Sequence, residues 1–365
     1  DLGILKIVNV FKGKEILVLP ILMFMFSIGG ATFGMSEEAI AFVAVLMPLV
    51  LALGYDSIVA VAITYLACNL GFSAAMLNPF TVGIAQSIAG IQLYSGVEFR
   101  TLVWFVSTLV GCGFVMFYAM KIKKNPELSP MFEHDQVKRE KLKSTESEHT
   151  EFTLRHKIII AALFTSIALV VYGVLKLEFW IPQIAAVFLG LGIISGLVGK
   201  LAPNEIAEAF TDGAKDMIGA AIMIGLAKSV MIIAQNANII DTILFNLANV
   251  VGQLPSLIAS YIMFVIQMFI NFFVSSGSGQ AALTMPILAP LGDLVGISRQ
   301  LSVLIYQLGD GFSNAMFPTS GVLIACLGMA GVPYGKWLKW ILPLQAILFM
   351  TAIVFITIAS LIGWA

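Results

Sequence analysis

The stretch Gly71-Phe-Ser-Ala-Ala-Met76 reappears later in the chain as Gly311-Phe-Ser-Asn-Ala-Met316. Five of the six residues are identical, at a spacing of 311 − 71 = 240. Proline and small polar residues follow each copy, at 78–81 and 318–320, inside segments that are otherwise apolar. In a bilayer an unpaired backbone amide or carbonyl costs several kcal/mol, so interruptions persist only where they line a cavity or bind something. The two stretches therefore predict two broken transmembrane helices, a pattern that indicates a transporter site.

The composition is that of a membrane protein. Of the 365 residues 59% are apolar and 11% are charged, and the mean hydropathy is +0.97, whereas soluble proteins carry roughly 25% charged residues. Several apolar runs are long enough to cross a hydrocarbon core of about 30 Å. We therefore predict an all-α polytopic membrane protein. No basic stripe suggests a nucleic acid partner, and the three cysteines lie in apolar runs without metal-ligand spacing.

The repeat and the charges together predict the organisation of the chain. Residues 121–157 hold nine Lys/Arg, seven Asp/Glu and all three histidines, and are predicted to be a cytoplasmic, partly disordered loop. Counting crossings outward from this loop places most of the Lys and Arg on its side, as the positive-inside rule requires. An odd number of crossings then separates the copies, so residues 1–120 and 158–365 are predicted to be inverted repeats.

Two further segments suggest re-entrant hairpins. Residues 16–54 have the length of two full spans or of one hairpin, and polar residues at 36–38 mark the middle. Residues 275–280 mark the same place in the second copy. We favour hairpins whose tips stop near the middle of the membrane.

Candidate site residues come from the charges and from the breaks. Glu37 and Glu38 form a functional acidic pair or a solvated turn, and Asp310 binds a coupling cation or caps a half-helix. Lys228 contacts a substrate carboxylate or extends to the membrane surface. The breaks add hydroxyl and amide side chains that suit ion and substrate binding, or simply packing between helices. Those residues are Ser73, Asn78, Thr81, Ser313, Asn314, Thr319 and Ser320.

Two other classes of protein fit the sequence less well. Ser276-Gly-Ser-Gly279 faintly resembles an intramembrane serine protease motif, but that chemistry needs a base beside the nucleophile and no histidine lies in an apolar segment. A channel would more naturally show rings of one charge or a filter loop. The sequence therefore predicts no enzyme.

The chain resembles the C4-dicarboxylate anaerobic carrier family, and within it the basic amino acid antiporter branch of the broader ion transporter superfamily. The matching stretches are Gly29-Gly-Ala-Thr-Phe-Gly-Met-Ser-Glu-Glu38, Ser276-Gly-Ser-Gly-Gln-Ala-Ala-Leu-Thr-Met-Pro286, Gly309-Asp-Gly-Phe-Ser-Asn314 and Pro318-Thr-Ser-Gly321. The resemblance implies an inner-membrane secondary transporter with two re-entrant hairpins and two broken helices around a central site. The family pattern has a further segment before Asp1, corresponding to 217–240, so the resemblance leads us to expect a first repeat without its leading helix.

The resemblance also assigns roles to residues. Substrate would bind the hairpin tips and breaks through Ser36, Glu37, Glu38, Asn78, Ser276, Ser278, Gln280, Asn314, Thr319, Ser320 and Lys228. A coupling Na⁺ or H⁺ would bind Ser73, Thr81, Asp310 and Ser313, and no other cofactor is expected. The superfamily implies a homodimer. Acids at membrane depth outnumber bases, which favours a basic amino acid such as arginine or ornithine over the alternative, a C4-dicarboxylate.

Overall fold

The computed structural model describes residues 15–146, 153–177, 179, 181–237, 242, 246, 249 and 251–365. Within these ranges the side chains of Glu15, of 141–146 and of several residues between 167 and 235, Lys228 among them, are not described. The predicted leading residues 1–14 of the first repeat lie outside the described part.

The described residues are almost entirely helical and contain no strand, in agreement with the predicted all-α fold. The α-helices are α1 (Glu15–Phe33), α2 (Ala39–Ala52), α3 (Ser57–Val61), α4 (Ala67–Ser73), α5 (Ile84–Ala89), α6 (Val97–Lys124), α7 (Phe132–Glu146), α8 (Leu154–Lys176), α9 (Ile181–Gly199), α10 (Pro203–Asn236), α11 (Ser256–Phe273), α12 (Gly277–Leu294), α13 (Arg299–Asn314), α14 (Gly321–Ala330) and α15 (Tyr334–Leu361).

Four of the described helices are long and apolar enough to cross a membrane, at 16–33, 97–124, 256–273 and 334–361. Two of them are α1 and α11, the first helices of the predicted hairpins. Each is followed by a short loop and a second apolar helix, α2 or α12. Helix length by itself permits either two spans or a hairpin here.

Both predicted helix breaks are present. A π-helical turn at Ala62–Leu66 joins α3 to α4, and the helix ends at Ser73. The chain becomes helical again at Pro79, where the Asn78 side chain accepts a hydrogen bond from the Phe80 N–H and caps the new turn. In the second copy α13 ends at Asn314 and α14 begins at Gly321. We call residues 74–78 the first break and residues 315–320 the second break.

Each break begins later than the repeated glycines suggested. Gly71 and Gly311 lie inside α4 and α13. Both glycines allow other chain segments to approach these helices closely. A Cβ atom added at Gly71 would lie 1.9 Å from the Ser27 carbonyl oxygen, and one at Gly311 would lie 2.3 Å from Ser73 Cα. Small residues at membrane helix interfaces commonly serve this purpose.

Helix α13 lies at the centre of the fold. Every residue from Gln300 to Ser313 is buried, and helices α4, α11, α12 and α15 pack against it. A helix surrounded on all sides is expected to be apolar all round. Yet α13 carries Gln300, Gln307 and Asp310 in its buried part, and these side chains need partners or a function.

Residues 121–146 make up most of the charged segment and are largely helical. They contain the end of α6, a 3₁₀ turn at Pro126–Leu128 and helix α7. Asp135 on α7 accepts hydrogen bonds from the Ser57 N–H and Oγ, at 2.7 and 2.5 Å. Lys138 Nζ lies 2.8 Å from both Asp135 Oδ1 and the Ala330 carbonyl oxygen. These bonds fix α7 to the start of α3 and to the end of α14, which explains its order.

Candidate functional site

Hydrogen bonds connect the segments on either side of the two breaks. The Asn69 Nδ2 atom on α4 donates to the Gly311 carbonyl at 3.1 Å. Tyr65 donates its hydroxyl to the Asn314 carbonyl at 3.0 Å, at the end of α13. The α13 residue Gln307 in turn donates to the Ala75 carbonyl in the first break at 2.9 Å. The ends of two broken helices therefore share one polar interface.

The end of α1 and the loop that follows it contact the first break. Backbone N–H groups of Met76 and Leu77 both donate to the Ala31 carbonyl, at 3.1 and 3.0 Å. Gly34 adopts φ +78, and a Cβ atom there would lie 2.7 Å from Asn78 Oδ1. Glycine is needed at this position both for its left-handed conformation and for the close approach.

The loop between α11 and α12 lies against both breaks. Ser275 donates its hydroxyl to the Thr319 carbonyl of the second break at 2.7 Å. The next residue, Ser276, caps α12 by accepting from the Gly279 N–H. A Cβ atom at Gly277 would lie 2.7 Å from Thr81 Cγ2, just after the first break. Both helix-connecting loops therefore converge where the breaks meet.

Helix α11 presents an amide pair to this interface. Asn271 Nδ2 lies 2.8 Å from the Asp310 carbonyl, 2.7 Å from Ser313 Oγ and 3.0 Å from Asn314 Oδ1. One turn earlier, Gln267 accepts from Gln280 Nε2 at 2.9 Å. The sequence analysis did not select Asn271 or Gln267. Their spacing of four residues in an apolar helix, which places both on one face, was the available signal.

Several buried polar atoms at this interface have no hydrogen-bond partner. Buried polar groups are almost always paired, so each unpaired one needs an explanation, and a missing ligand or ion is a common one. The unpaired atoms are Thr81 Oγ1, Gln267 Nε2, Asn271 Oδ1, Gln280 Oε1, Thr319 Oγ1 and both carboxylate oxygens of Asp310. They come from the turn that follows the first break, from α11, α12 and α13, and from the second break.

Asp310 is the most exceptional of these residues. Its side chain is completely buried in α13, and neither of its oxygens accepts a hydrogen bond. The suggestion that Asp310 caps the following half-helix is wrong, because the residue lies inside α13 and its carboxylate accepts from no backbone N–H. A buried carboxylate without a donor or counterion is costly unless it binds a proton, a cation or a cationic group.

The two adjacent glutamates differ in their surroundings. Glu37 is exposed, whereas Glu38 is only 8% exposed and accepts from the Ser36 N–H at 3.1 Å. Only Glu38 therefore has the burial expected of a membrane-depth carboxylate.

The remaining predicted residues have different surroundings. Ser73 and Ser313 donate their hydroxyls to carbonyls of their own helices, at 2.5 and 2.8 Å, which leaves only their lone pairs for an ion. Ser320 lies 3.4 Å from the Tyr65 hydroxyl. Ser278 is half-buried beside the second loop. The Lys228 side chain lies outside the described part.

Arg100 is a buried charge that was not among the candidate site residues. Its side chain is completely buried near the start of α6. The position follows the loop at 90–96 and directly precedes an apolar run, and nothing else in the local sequence indicates its burial.

Comparison with known proteins identifies the family. The model of the family "C4-dicarboxylate anaerobic carrier" matches residues 1–361. The Escherichia coli K12 protein named "Putative basic amino acid antiporter YfcC" is 42% identical over all of this chain and 74% of its own length. An uncharacterized protein of Haemophilus influenzae is 34% identical over 95% of this chain and 69% of its own length.

Among solved structures, the Alcanivorax borkumensis YdaH transporter aligns with 98% of this chain and 88% of its own, at 17% identity and a TM-score of 0.47. The family match over nearly the whole chain and the apolar helices together make this an integral membrane protein and a secondary transporter. The chain belongs to the C4-dicarboxylate anaerobic carrier family.

Proposed function

We propose that this transporter is an ion-coupled carrier or antiporter that moves a small amino acid, basic such as arginine or ornithine, across the bacterial inner membrane. It works by alternating access as a homodimer. Residues 1–120 and 158–365 are its inverted repeats, and 121–157 connects them on the cytoplasmic side. The α1–α2 and α11–α12 pairs are its re-entrant hairpins.

The observation that carries the proposal is the convergence of both breaks and both loops on unpaired buried polar atoms. Broken helices expose backbone carbonyls and N–H groups that no longer bond within a helix. Asp310 lies about one turn before the end of α13, where the second break follows, and its carboxylate has no hydrogen-bond partner. An ammonium or guanidinium group, a proton or Na⁺ would each supply the positive charge that this carboxylate lacks.

The acids favour a cationic or zwitterionic substrate over a dianion. Glu38 and Asp310 are buried carboxylates in or beside the interface. A dianionic C4-dicarboxylate would meet repulsion from both unless they were protonated. The name of the Escherichia coli relative, a basic amino acid antiporter, points the same way. The description of the family names the C4-dicarboxylates, which are therefore the alternative substrate class.

A transport panel tests the proposal. Purified protein in liposomes is loaded with unlabelled arginine, ornithine or succinate, and entry of labelled arginine and labelled succinate is measured with and without Na⁺ and pH gradients. We expect arginine to enter faster when arginine or ornithine is inside. Exchange of succinate that arginine does not inhibit would overturn the amino acid assignment. Flux at channel rates that needs no gradient or counter-substrate would overturn the carrier mechanism.

A further inference from the structure

A fully buried arginine is linked to the first break through a single glutamine. Arg100 Nη1 donates to Gln307 Oε1 at 2.5 Å, and Gln307 Nε2 donates to the Ala75 carbonyl at 2.9 Å. The three residues lie on α6, on α13 and in the first break. The chain of bonds therefore runs from one end of a long apolar helix to the backbone of the interruption.

Arg100 has no carboxylate partner among the described residues. Its other contacts are Gln300 Oε1, 3.4 Å from Nη2, and the ring of Trp364, whose centroid lies 5.3 Å from the guanidinium carbon. Its Nε atom has no hydrogen-bond partner. A guanidinium buried without a counterion costs several kcal/mol, and an apolar side chain of similar volume would usually serve packing better. The charge therefore calls for a role that packing does not provide.

The chemistry of arginine fixes the orientation of Gln307. A guanidinium group only donates hydrogen bonds, so the glutamine has to turn its oxygen toward Arg100. Its NH₂ group then points toward the first break, where it meets the Ala75 carbonyl. The two contacts favour the same orientation, because the guanidinium group only donates and the Ala75 carbonyl only accepts.

We propose that Arg100 and Gln307 are positioning residues of transport, which hold the Ala75 carbonyl and thereby the shape of the first break. The N–H groups of Met76 and Leu77 also hold the backbone of the break, through bonds to the Ala31 carbonyl. Without Gln307 the Ala75 carbonyl would be an unsatisfied group at membrane depth. The proposal rests on the proposed function only in assuming that the first break takes part in transport.

The test uses two substitutions that both give Arg100 a carboxylate partner. Gln307→Glu keeps the oxygen that faces Arg100 but replaces the NH₂ group with an oxygen that repels the Ala75 carbonyl. Gln300→Glu adds the same charge next to the same guanidinium, on the same helix, and leaves the break untouched. Arg100→Met is less suitable, since it leaves the Gln307 oxygen without its Arg100 donor and removes a completely buried side chain whose loss can prevent folding.

Hydrogen–deuterium exchange of the purified protein provides a readout that requires no substrate. We expect Gln307→Glu to speed exchange in peptides covering 70–80 by about fivefold or more, the factor given by losing one ordinary hydrogen bond. Gln300→Glu should leave exchange there unchanged. Equal exchange in the two variants would overturn the proposal, whether or not any probe is transported.

Liposome exchange of labelled arginine and labelled succinate adds the functional readout. For whichever probe the wild type transports, Gln307→Glu should lower the maximal rate at least tenfold while Gln300→Glu retains it. Wild-type rates in Gln307→Glu would overturn the positioning role. A wild type that transports neither probe would overturn the proposed substrates. The hydrogen–deuterium exchange measurement alone would then decide whether Arg100 and Gln307 hold the first break.

Discussion

Replacing Asp310 by asparagine is expected to make the protein more stable and to abolish transport. Asparagine has nearly the same shape, but it removes a charge that is completely buried and accepts no hydrogen bond. The amide that replaces the carboxylate still lacks partners, which costs about 1–3 kcal/mol, whereas an ionised group in the same place costs more. We expect a net gain of about 1–3 kcal/mol at neutral pH, or roughly 2–4 °C in melting temperature for each kcal/mol.

Asp293 provides the matched control. It is 45% exposed and forms an ion pair with Arg299 at 2.8 Å. Exposed pairs contribute about 0–1 kcal/mol, so Asp293→Asn should leave the protein unchanged or slightly less stable, with transport intact.

The assay combines thermal unfolding in detergent with exchange transport in liposomes, on the two variants and the wild type. We expect the same chemical change to raise stability at position 310 and not at position 293. Equal destabilisation by Asp310→Asn and Asp293→Asn would refute this, because the Asp310 carboxylate would then have a favourable partner. Transport by Asp310→Asn at the wild-type rate would refute its role in transport.

Three more predictions concern packing, docking and pH. Gly71→Ala should destabilise the protein by about 1–3 kcal/mol in thermal unfolding, because its Cβ atom would meet the Ser27 carbonyl. Gly113 has nothing within 4 Å of an added Cβ atom. Gly113→Ala should therefore raise the melting temperature in the same assay, because alanine favours the helix more than glycine does. Asp135→Ala should release α7, and limited proteolysis should then cut within 132–146 faster than in the wild type; equal cutting rates would contradict the docking. Burial raises the pKa of the Asp56 carboxyl above its ordinary value of 3.8. The protonated carboxyl therefore favours the folded state fully below pH 3.8, and this contribution to stability is lost as pH rises through the folded-state pKa. The melting temperature of Asp56→Asn should therefore rise relative to wild type between pH 4 and 8, and a constant difference would contradict this.

The sequence predicted the membrane fold and the position of the breaks because both depend on local pattern. The length of an apolar run indicates a membrane-crossing helix. Proline together with small polar residues indicates where such a helix ends. The repeated motif located the breaks to within a few residues. It misled about the role of Gly71 and Gly311, since a glycine that interrupts a helix and one that admits a neighbouring chain are indistinguishable in sequence.

Long-range partners were the part that the sequence could not provide. Arg100 was not selected from the sequence, because its surroundings depend on Gln300, Gln307 and Trp364, which are 200 or more residues away. For the same reason Asp310 was read equally well as a cap or as an ion ligand. Only the three-dimensional surroundings show that its carboxylate caps nothing.

The docking of α7 has a mechanical consequence. One turn of this helix carries both Asp135, bonded to the first residue of α3, and Lys138, bonded to the last residue of α14. Those two residues terminate the two interrupted helices on the same side of the molecule. A motion that pulled one helix end from the other would have to break both attachments at once. We therefore expect these two helix ends to move together. Relative motion between α3 and α14 would then occur at their opposite ends.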